Sequence, residues 1–254
     1  MDLFHKTILI TGGTSRLGQA FVRKAAAAGA RVFFTYYKNQ TEAQALQTLG
    51  ASGFPLDLSD MKAIEDFASA LKSKAEHLDV LIHNAAAIAD HTLQNLTEED
   101  WDKVMTVNLK APYYLTKKLF PLLFQRKSRR GLTPGSDPIK VAAKIFFITS
   151  RVAVTGGFGI SNYAASKAGL IGLAKSLAQE LGKKQILVNA VNPGFMMSAM
   201  TENLPEEVLA RNLEASPLGR CSDPEEVADF LVYLSSNSMT QVSGQTLHFE
   251  SRKL

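Results

Sequence analysis

The chain has 254 residues, of which 46% are hydrophobic and 20% charged, the balance of a folded globular protein, which excludes an intrinsically disordered one. The single cysteine, Cys221, excludes an internal disulfide, and neither a run of 18 apolar residues nor a secretory cleavage site is present, so we expect a cytoplasmic protein. The net charge of +4 comes from four basic residues within 126–130, which we interpret as a solvated loop rather than a nucleic-acid site.

Short β-branched or aromatic runs alternate with longer segments of helical periodicity. The short runs predict parallel strands at 6–10, 31–35, 53–56 (weaker), 79–82, 144–148, 186–191 and 246–249. Helical spacing covers 17–28, 41–49, 60–75, 98–125 and 162–181. We expect Ser59 to cap the third helix, and Thr97 with Asp100 to cap the fourth. Strict alternation predicts a single α/β domain over 1–254, with a doubly wound parallel sheet and helices on both faces.

The segment 126–143 interrupts this alternation. It contains the basic cluster and four residues that break regular structure, Gly131, Pro134, Gly135 and Pro138. Because a few residues would suffice to join the flanking helix and strand, we predict an exposed insertion here.

A glycine-rich turn, Thr11–Gly18, follows the first predicted strand and opens a helix. Backbone N–H groups of such a turn and the positive end of the helix bind a pyrophosphate. Gly12 would allow the tight turn, and Gly18 would let the helix pack close to the strand. An ordinary strand–helix turn has the same pattern, but the position after the first strand favours dinucleotide binding.

The end of the second predicted strand indicates which dinucleotide binds. An acidic residue there would hydrogen-bond the ribose of NAD, whereas a basic residue would accept the 2′-phosphate of NADP. The sequence reads Thr35-Tyr36-Tyr37-Lys38-Asn39, with no acid. Lys38, together with Arg16 from the turn, therefore favours NADP(H). Asp57, after the third strand, is a candidate acceptor for the adenine amino group.

Three polar residues predict proton transfer to a carbonyl oxygen. Ser150 ends a predicted buried strand, Tyr163 follows thirteen residues later, and Lys167 lies one helical turn beyond it. We expect the Lys167 ammonium to lower the pKa of Tyr163 from its reference of about 10 toward working pH. Tyr163 would then be a general acid for a carbonyl whose carbon receives a hydride, and Ser150 would polarise the oxygen.

Together these motifs resemble the short-chain dehydrogenase/reductase family over nearly the whole chain. The matching elements are Thr11-Gly12 with Gly18, Asp57, His83-Asn84-Ala85-Ala86, Asn108, Ser150, Tyr163 to Lys167 and Asn192-Pro193-Gly194. The resemblance implies a Rossmann-type fold. It also implies four catalytic residues, Asn108, Ser150, Tyr163 and Lys167.

The resemblance assigns further roles to particular residues. Lys167 would hold the nicotinamide ribose, Asn108 would hold a water that links Lys167 to solvent, and Ser198 would contact the carboxamide. The implied cofactor-binding residues are Gly12, Thr14, Ser15, Arg16, Leu17, Gly18, Tyr37, Lys38, Asp57, Leu58, Asn84, Ala85, Ala86, Tyr163, Lys167, Pro193, Gly194 and Ser198. A homotetramer packed through the fourth and fifth helices is also implied.

The substrate is indicated less uniformly. Segments 85–109, 188–201 and 217–244 are similar to 3-oxoacyl-acyl-carrier-protein reductases, which reduce β-ketoacyl thioesters with NADPH in fatty-acid synthesis. An acyl carrier protein would then meet the basic cluster. Three departures weaken this assignment: Arg16 replaces the middle glycine of the turn, Ala86 replaces a glycine, and Ser251-Arg252 replace a terminal Gly-Gly.

Two alternatives therefore stay open. Arg16, Ala86 and the second-strand end resemble pteridine and dihydrofolate reductases, although Ser150 stands where pteridine reductases commonly carry an aspartate. A non-catalytic NADP-binding sensor or scaffold is the alternative of another class. The five histidines show no metal-site spacing, so we expect no metal and interpret His83 as a packing residue. Cys221 is expected to be structural or incidental, and Met196, Met197 and Met200 to form an adaptable lid.

Overall fold

The computed structural model describes residues 2–124, 141–197, 201 and 206–252. Within these ranges, seven strands form one parallel sheet in the order β3-β2-β1-β4-β5-β6-β7. The strands are β1 Thr7–Ile10, β2 Arg31–Tyr36, β3 Ser52–Pro55, β4 Val80–His83, β5 Ala143–Ile148, β6 Ile186–Asn192 and β7 Thr246–His248. The predicted doubly wound Rossmann-type sheet is confirmed.

The helices lie on both sides of this sheet. They are α1 Arg16–Ala27, α2 Gln40–Gln47, α3 Met61–Lys74, α4 Glu98–Met105, α5 Ala111–Leu123, α6 Val152–Thr155, α7 Ser161–Leu181, α8 Glu206–Glu214 and α9 Pro224–Ser235. A π-helical turn, Thr106–Lys110, joins α4 to α5, and a 3₁₀ turn, Gly182–Lys184, follows α7.

Two predictions about these helices were wrong in detail. The continuous helix expected over 98–125 is divided by the π turn, in which the Ala111 N–H bonds the carbonyl of Thr106, five residues back. Its expected last residue, Gln125, lies outside the described residues. The cap of α3 is Asp60, not Ser59, because the Asp60 carboxylate accepts the N–H groups of the first turn. Thr97 caps α4 as predicted, accepting the Asp100 N–H at 3.1 Å.

The alternation of side chains along each strand divides the core into two layers. Leu9, Phe33 and Leu81 face a cluster that includes α3, α5 and α7. Ile8 and Ile10 face the opposite cluster, which includes α1, α2 and α9. Because both faces of the sheet are covered, the central strands β1, β4, β5 and β6 are buried along their whole length.

The strand order fixes the position of the site. From β1 the chain proceeds outward to β2 and β3, and then returns to place β4 on the other side of β1. At such a switch point the loops after neighbouring strands separate, which opens a crevice at their carboxyl ends. Residues 126–140 of the predicted insertion lie outside the described residues. The prediction that the insertion extends to Ala143 was wrong, because Ala143 is buried as the first residue of β5. No helix among the residues described is long and apolar enough to cross a membrane.

Candidate active site

The turn after β1 leaves no room for side chains at its glycines. Gly12 has a φ of +66°, and a Cβ there would lie 2.9 Å from the Ala85 Cα. A Cβ on Gly18 would lie 2.3 Å from the Gly12 carbonyl oxygen. At these glycines no side chain covers the backbone of the turn, which packs against the loop that follows β4. A phosphate could therefore approach the backbone N–H groups closely.

Asn84 holds the turn against β4. Its Nδ2 donates to the carbonyl oxygens of Thr11 and Gly12 and to the Ser15 hydroxyl, at 3.0–3.1 Å. Ser15 is also the N-cap of α1, because its hydroxyl accepts the Gly18 N–H. The first turn of α1 contains no acidic residue. No carboxylate in that turn therefore neutralises the positive end of the helix, which stays available to an anion.

The remaining predicted turn residues divide between the core and the surface. Thr14 and Leu17 are buried, so Leu17 contributes packing in α1 and offers only its backbone to a ligand. Arg16 is exposed and reaches away from the turn, with Nη1 donating to the carbonyl oxygen of Met197 at 3.3 Å. Arg16 therefore lies between the turn and the segment after β6.

The residues predicted to bind adenosine come together at the ends of β2 and β3. The Lys38 ammonium lies 4.8 Å from the centroid of the Tyr37 ring. Asp57 accepts hydrogen bonds from the Ser59 hydroxyl and N–H. The pKa of Asp57 is held below its usual value, and the hydrogen bond from the Ser59 hydroxyl is the largest cause. The Ser59 N–H, a hydrogen bond from Tyr37 and the positive charge of Lys38 lower it further. Leu58 is buried beside them.

Ser150, Tyr163 and Lys167 meet at the carboxyl end of β5. The Ser150 hydroxyl hydrogen-bonds the Tyr163 side chain. The buried Lys167 ammonium lies 5.5 Å from the centroid of the Tyr163 ring and donates to the carbonyl oxygen of Ile148 at 2.8 Å. The three residues predicted to transfer a proton therefore form one cluster.

The predicted fall in the pKa of Tyr163 is wrong for this structure. Burial raises the pKa of Tyr163 to about 12, the Asp90 carboxylate adds to the rise, and only the Ser150 hydrogen bond opposes it. The Lys167 ammonium is directed at Ile148, and burial lowers its pKa to about 8. Tyr163 is therefore a neutral phenol at pH 7, the form that donates a proton.

A second group of buried polar residues positions the helix that carries Tyr163. The Asn162 Nδ2 donates to the carbonyl oxygen of Ala89, and the Asn162 Oδ1 accepts the Tyr163 N–H. Asn108, within the π turn, bonds both the N–H and the carbonyl of Ala87 and donates to the Ser166 hydroxyl at 3.1 Å. The side-chain amide of Asn108 is thus occupied by protein groups.

The sequence reasoning missed Asn162 and Asp90 as site residues. Both are single polar residues next to a motif, a signal too common to separate them from ordinary surface positions. Only their placement identifies them: Asn162 is fully buried, and the Asp90 charge acts on Tyr163.

The segment after β6 completes the site. Gly194 has a φ of +80°, and a Cβ there would lie 2.2 Å from the Ser222 hydroxyl oxygen. Pro193 and Gly194 therefore turn the chain sharply away from the sheet, toward Met197 and Arg16. Met196 packs partly against the core. Ser198 and Met200, the predicted carboxamide contact and lid residue, lie outside the described residues.

His83 is a packing residue, as predicted. It is 2% exposed, its ring stacks on Phe147 with centroids 4.9 Å apart, and its Nε2 lies 2.8 Å from the Thr116 hydroxyl. Burial lowers the pKa of His83 to about 3. In the part of the chain that the structure describes, no three His, Cys, Asp or Glu side chains group as metal ligands.

Comparisons with known proteins find relatives over nearly the whole chain. Residues 13–251 match the family model described as enoyl-(acyl carrier protein) reductase. The chain is 36% identical to nodulation protein G of Rhizobium sp. (strain N33), covering 97% of this chain and 96% of that protein. It is also 36% identical to the 3-oxoacyl-[acyl-carrier-protein] reductase FabG of Thermotoga maritima, covering 97% of both. Among solved structures, the RhlG/NADP active-site complex of Pseudomonas aeruginosa has a TM-score of 0.85 at 28% identity, covering 98% of this chain and 96% of that one.

Proposed function

The chain belongs to the short-chain dehydrogenase/reductase family, a family of oxidoreductases, and on this premise we propose that it reduces the ketone of a 3-oxoacyl thioester with NADPH. The observation that carries the proposal is the cluster of Ser150, Tyr163 and Lys167, in which a neutral phenol and a hydroxyl share a hydrogen bond. Two such groups side by side can bind one carbonyl oxygen and supply it with a proton.

The chain's own residues perform the proton chemistry. The Ser150 hydroxyl donates a hydrogen bond to the substrate oxygen and orients it toward Tyr163. Tyr163 transfers its phenolic proton to that oxygen while the carbon accepts a hydride. Lys167, held on the Ile148 carbonyl, is an ammonium at pH 7 and would hold the nicotinamide ribose.

The turn and its neighbours fit a nicotinamide dinucleotide, which supplies the hydride when bound. The bare backbone at Gly12 and Gly18 and the end of α1 would receive the pyrophosphate. Asp57 would accept from the adenine amino group. The exposed Lys38, with no acidic residue beside it on β2 or in the residues just after it, supports NADP over NAD.

The thioester assignment rests on relatives. FabG of Thermotoga maritima is named a 3-oxoacyl-[acyl-carrier-protein] reductase, and the E. coli K12 protein of the same name is 32% identical over 251 residues. We extend the proposal to acyl carrier protein as a partner of the basic residues within 126–130. We also extend it to a homotetramer packed through α4, α5 and α7, which light scattering would test.

A second candidate is a pteridine reductase. The contact between Arg16 and the Met197 carbonyl favours it, because a guanidinium there lies between the phosphate-binding turn and the substrate side of the site. A planar, hydrogen-bonding pterin would offer acceptors to such a group.

The test is NADPH oxidation at 340 nm with acetoacetyl thioester and dihydrobiopterin in parallel, and NADH as the control. Thioester turnover is expected. In Tyr163→Phe, which keeps the ring and removes the proton, turnover should fall by about 10²–10⁴-fold while NADPH binding by fluorescence is unchanged. Pterin turnover alone would replace the proposal with the second candidate. If NADPH binds but neither substrate is reduced, the result would indicate a sensor or scaffold.

A further inference from the structure

The chain ends in a buried ion pair. The Arg252 Nε lies 2.7 Å from the Glu250 Oε2, and the two side chains are only 9% and 3% exposed. Burying two charges carries a desolvation cost that their attraction often only balances, so stability alone is a weak reason for this pair.

Arg252 connects three separate parts of the chain. Besides bonding Glu250, its Nη1 donates to the Asn212 Oδ1 on α8 at 2.7 Å. Its guanidinium also lies 5.5 Å from the centroid of the Phe195 ring. One planar cation therefore joins the chain after β7, helix α8 and the segment after β6.

Glu250 fixes the beginning of that segment. Its Oε1 accepts a hydrogen bond from the Asn192 Nδ2, and the Asn192 Oδ1 accepts the Gly194 N–H at 3.2 Å. The Glu250 Cβ lies 2.9 Å from where a Cβ on Gly194 would be. The turn at Gly194 is therefore packed directly against this side chain.

The same segment reaches the cofactor side of the site. We call residues 193–197 the β6 loop. Ser222 fixes its middle, donating its N–H to the Phe195 carbonyl and its hydroxyl to the Phe249 carbonyl. At its far end the Met197 carbonyl accepts from Arg16 of the phosphate-binding turn. The chain end is thus connected to the turn through the β6 loop.

We propose that Glu250 and Arg252 are positioning residues, whose buried ion pair clamps the β6 loop and α8 in one arrangement against the substrate and cofactor side of the site. The proposal rests on the proposed function for its effect on catalysis. Neither residue is assigned a contact with reacting atoms. Their effect is to order the loop before ligands bind, which reduces the ordering that binding itself must achieve.

The decisive variant is the double change Glu250→Gln with Arg252→Met. Arg252→Met alone leaves a buried carboxylate without its cation and is expected to destabilise the fold. In the double variant, Gln still accepts from Asn192, Met still covers Phe195, and no charge is left unpaired. The ion pair and the Arg252 bond to Asn212 on α8 are lost together, so both the β6 loop and α8 lose the clamp. Arg220→Met is the matched control, because Arg220 pairs with Glu226 at 3.5 Å on the exposed surface.

Two readouts are expected to change in the double variant. Amide hydrogen exchange of the ligand-free protein should be about tenfold faster in residues 193–197 and 206–214, with the sheet unchanged. KM for the ketone substrate should rise about tenfold while kcat stays within about threefold, the pattern of lost positioning rather than lost chemistry. Arg220→Met should change neither.

The opposite results would overturn the proposal. Unchanged exchange in both segments would mean that the pair only packs the chain end, and faster exchange throughout the sheet would mean general destabilisation. A fall in kcat at constant KM would assign the pair a chemical role instead. If the wild-type protein reduced no substrate, the exchange experiment would still test whether the ion pair orders the β6 loop and α8. Failure of the proposed function and failure of this proposal are therefore distinguishable.

Discussion

Replacing His83 with phenylalanine should remove a defined part of the loss of stability in acid. His83 is buried at the end of β4, directly before the Asn84 that holds the phosphate-binding turn. Its ring stacks almost parallel on Phe147, with 7° between the planes. Phenylalanine keeps the stacking and most of the volume, and it removes only the titratable nitrogens and the contact with Thr116.

The magnitude follows from the two pKa values. Burial lowers the pKa of His83 from 6.5 to about 3, so the unfolded chain binds a proton between pH 6.5 and pH 3 that the folded protein does not. Stability therefore decreases as the pH falls through this window. Between pH 7.5 and pH 5.0 this one group should lower the free energy of unfolding by about 2 kcal/mol, since each pH unit below 6.5 contributes about 1.4 kcal/mol.

The assay is urea unfolding of wild-type protein and His83→Phe at pH 7.5 and pH 5.0. The decrease between the two pH values should be about 2 kcal/mol smaller in the variant, whatever its absolute stability. Equal decreases in both proteins would refute the reasoning, because they would mean that His83 is solvated or protonated in the folded state.

A second variant separates burial from hydrogen bonding. Thr116→Val removes the hydroxyl that lies 2.8 Å from the His83 Nε2 and leaves the histidine buried. It should lower stability by about 1 kcal/mol at both pH values and keep the full pH dependence. If the pH dependence vanished with Thr116, the hydrogen bond rather than desolvation would be its source.

Three further outcomes are expected. Asp90→Asn should lower the pKa of Tyr163, since the Asp90 carboxylate helps to raise it, and the phenolate absorbance of Tyr163, measured as the difference from the same protein carrying Tyr163→Phe, should begin to rise at lower pH. Gly12→Ala should lower the free energy of unfolding, measured by urea unfolding, by more than roughly 1–2 kcal/mol, the cost of placing a non-glycine residue in the left-handed region. The additional loss is expected because the new Cβ would lie 2.9 Å from the Ala85 Cα. Lys38→Ala should raise the Kd for NADPH about tenfold, the loss of about 1.5 kcal/mol from a charged phosphate contact, and leave NADH binding unchanged.

Two of these variants have a matched control variant, and Lys38→Ala is judged by comparing NADPH with NADH. Gly50→Ala introduces a left-handed alanine at a φ of +85° with no atom within 4 Å of the new Cβ, so equal destabilisation of Gly12→Ala and Gly50→Ala would exclude the contact with Ala85. Asp66→Asn removes an exposed carboxylate on α3 and should leave the titration of Tyr163 unchanged. If Lys38→Ala weakened NADH and NADPH equally, its role in phosphate recognition would be wrong.

Local sequence patterns were sufficient to predict the sheet and to select polar residues that the fold brings together. Alternating apolar runs and helical periodicity determine which segments become buried strands and covering helices, so the parallel sheet could be predicted. Gly12 and Gly18 could be assigned because only glycine tolerates that turn. Tyr163 and Lys167 could be paired because helical spacing places them on one face.

Only the tertiary structure decided the pKa of Tyr163 and the contacts of Asn108. The pKa of Tyr163 depends on burial and on Asp90, which lies in a loop that Asn162 binds from 73 residues away in sequence. The π turn at Asn108 depends on its bonds to Ala87, across a separate loop. Long-range charge, burial and side-chain pairing arise only when distant segments meet, and therefore no local pattern predicts them.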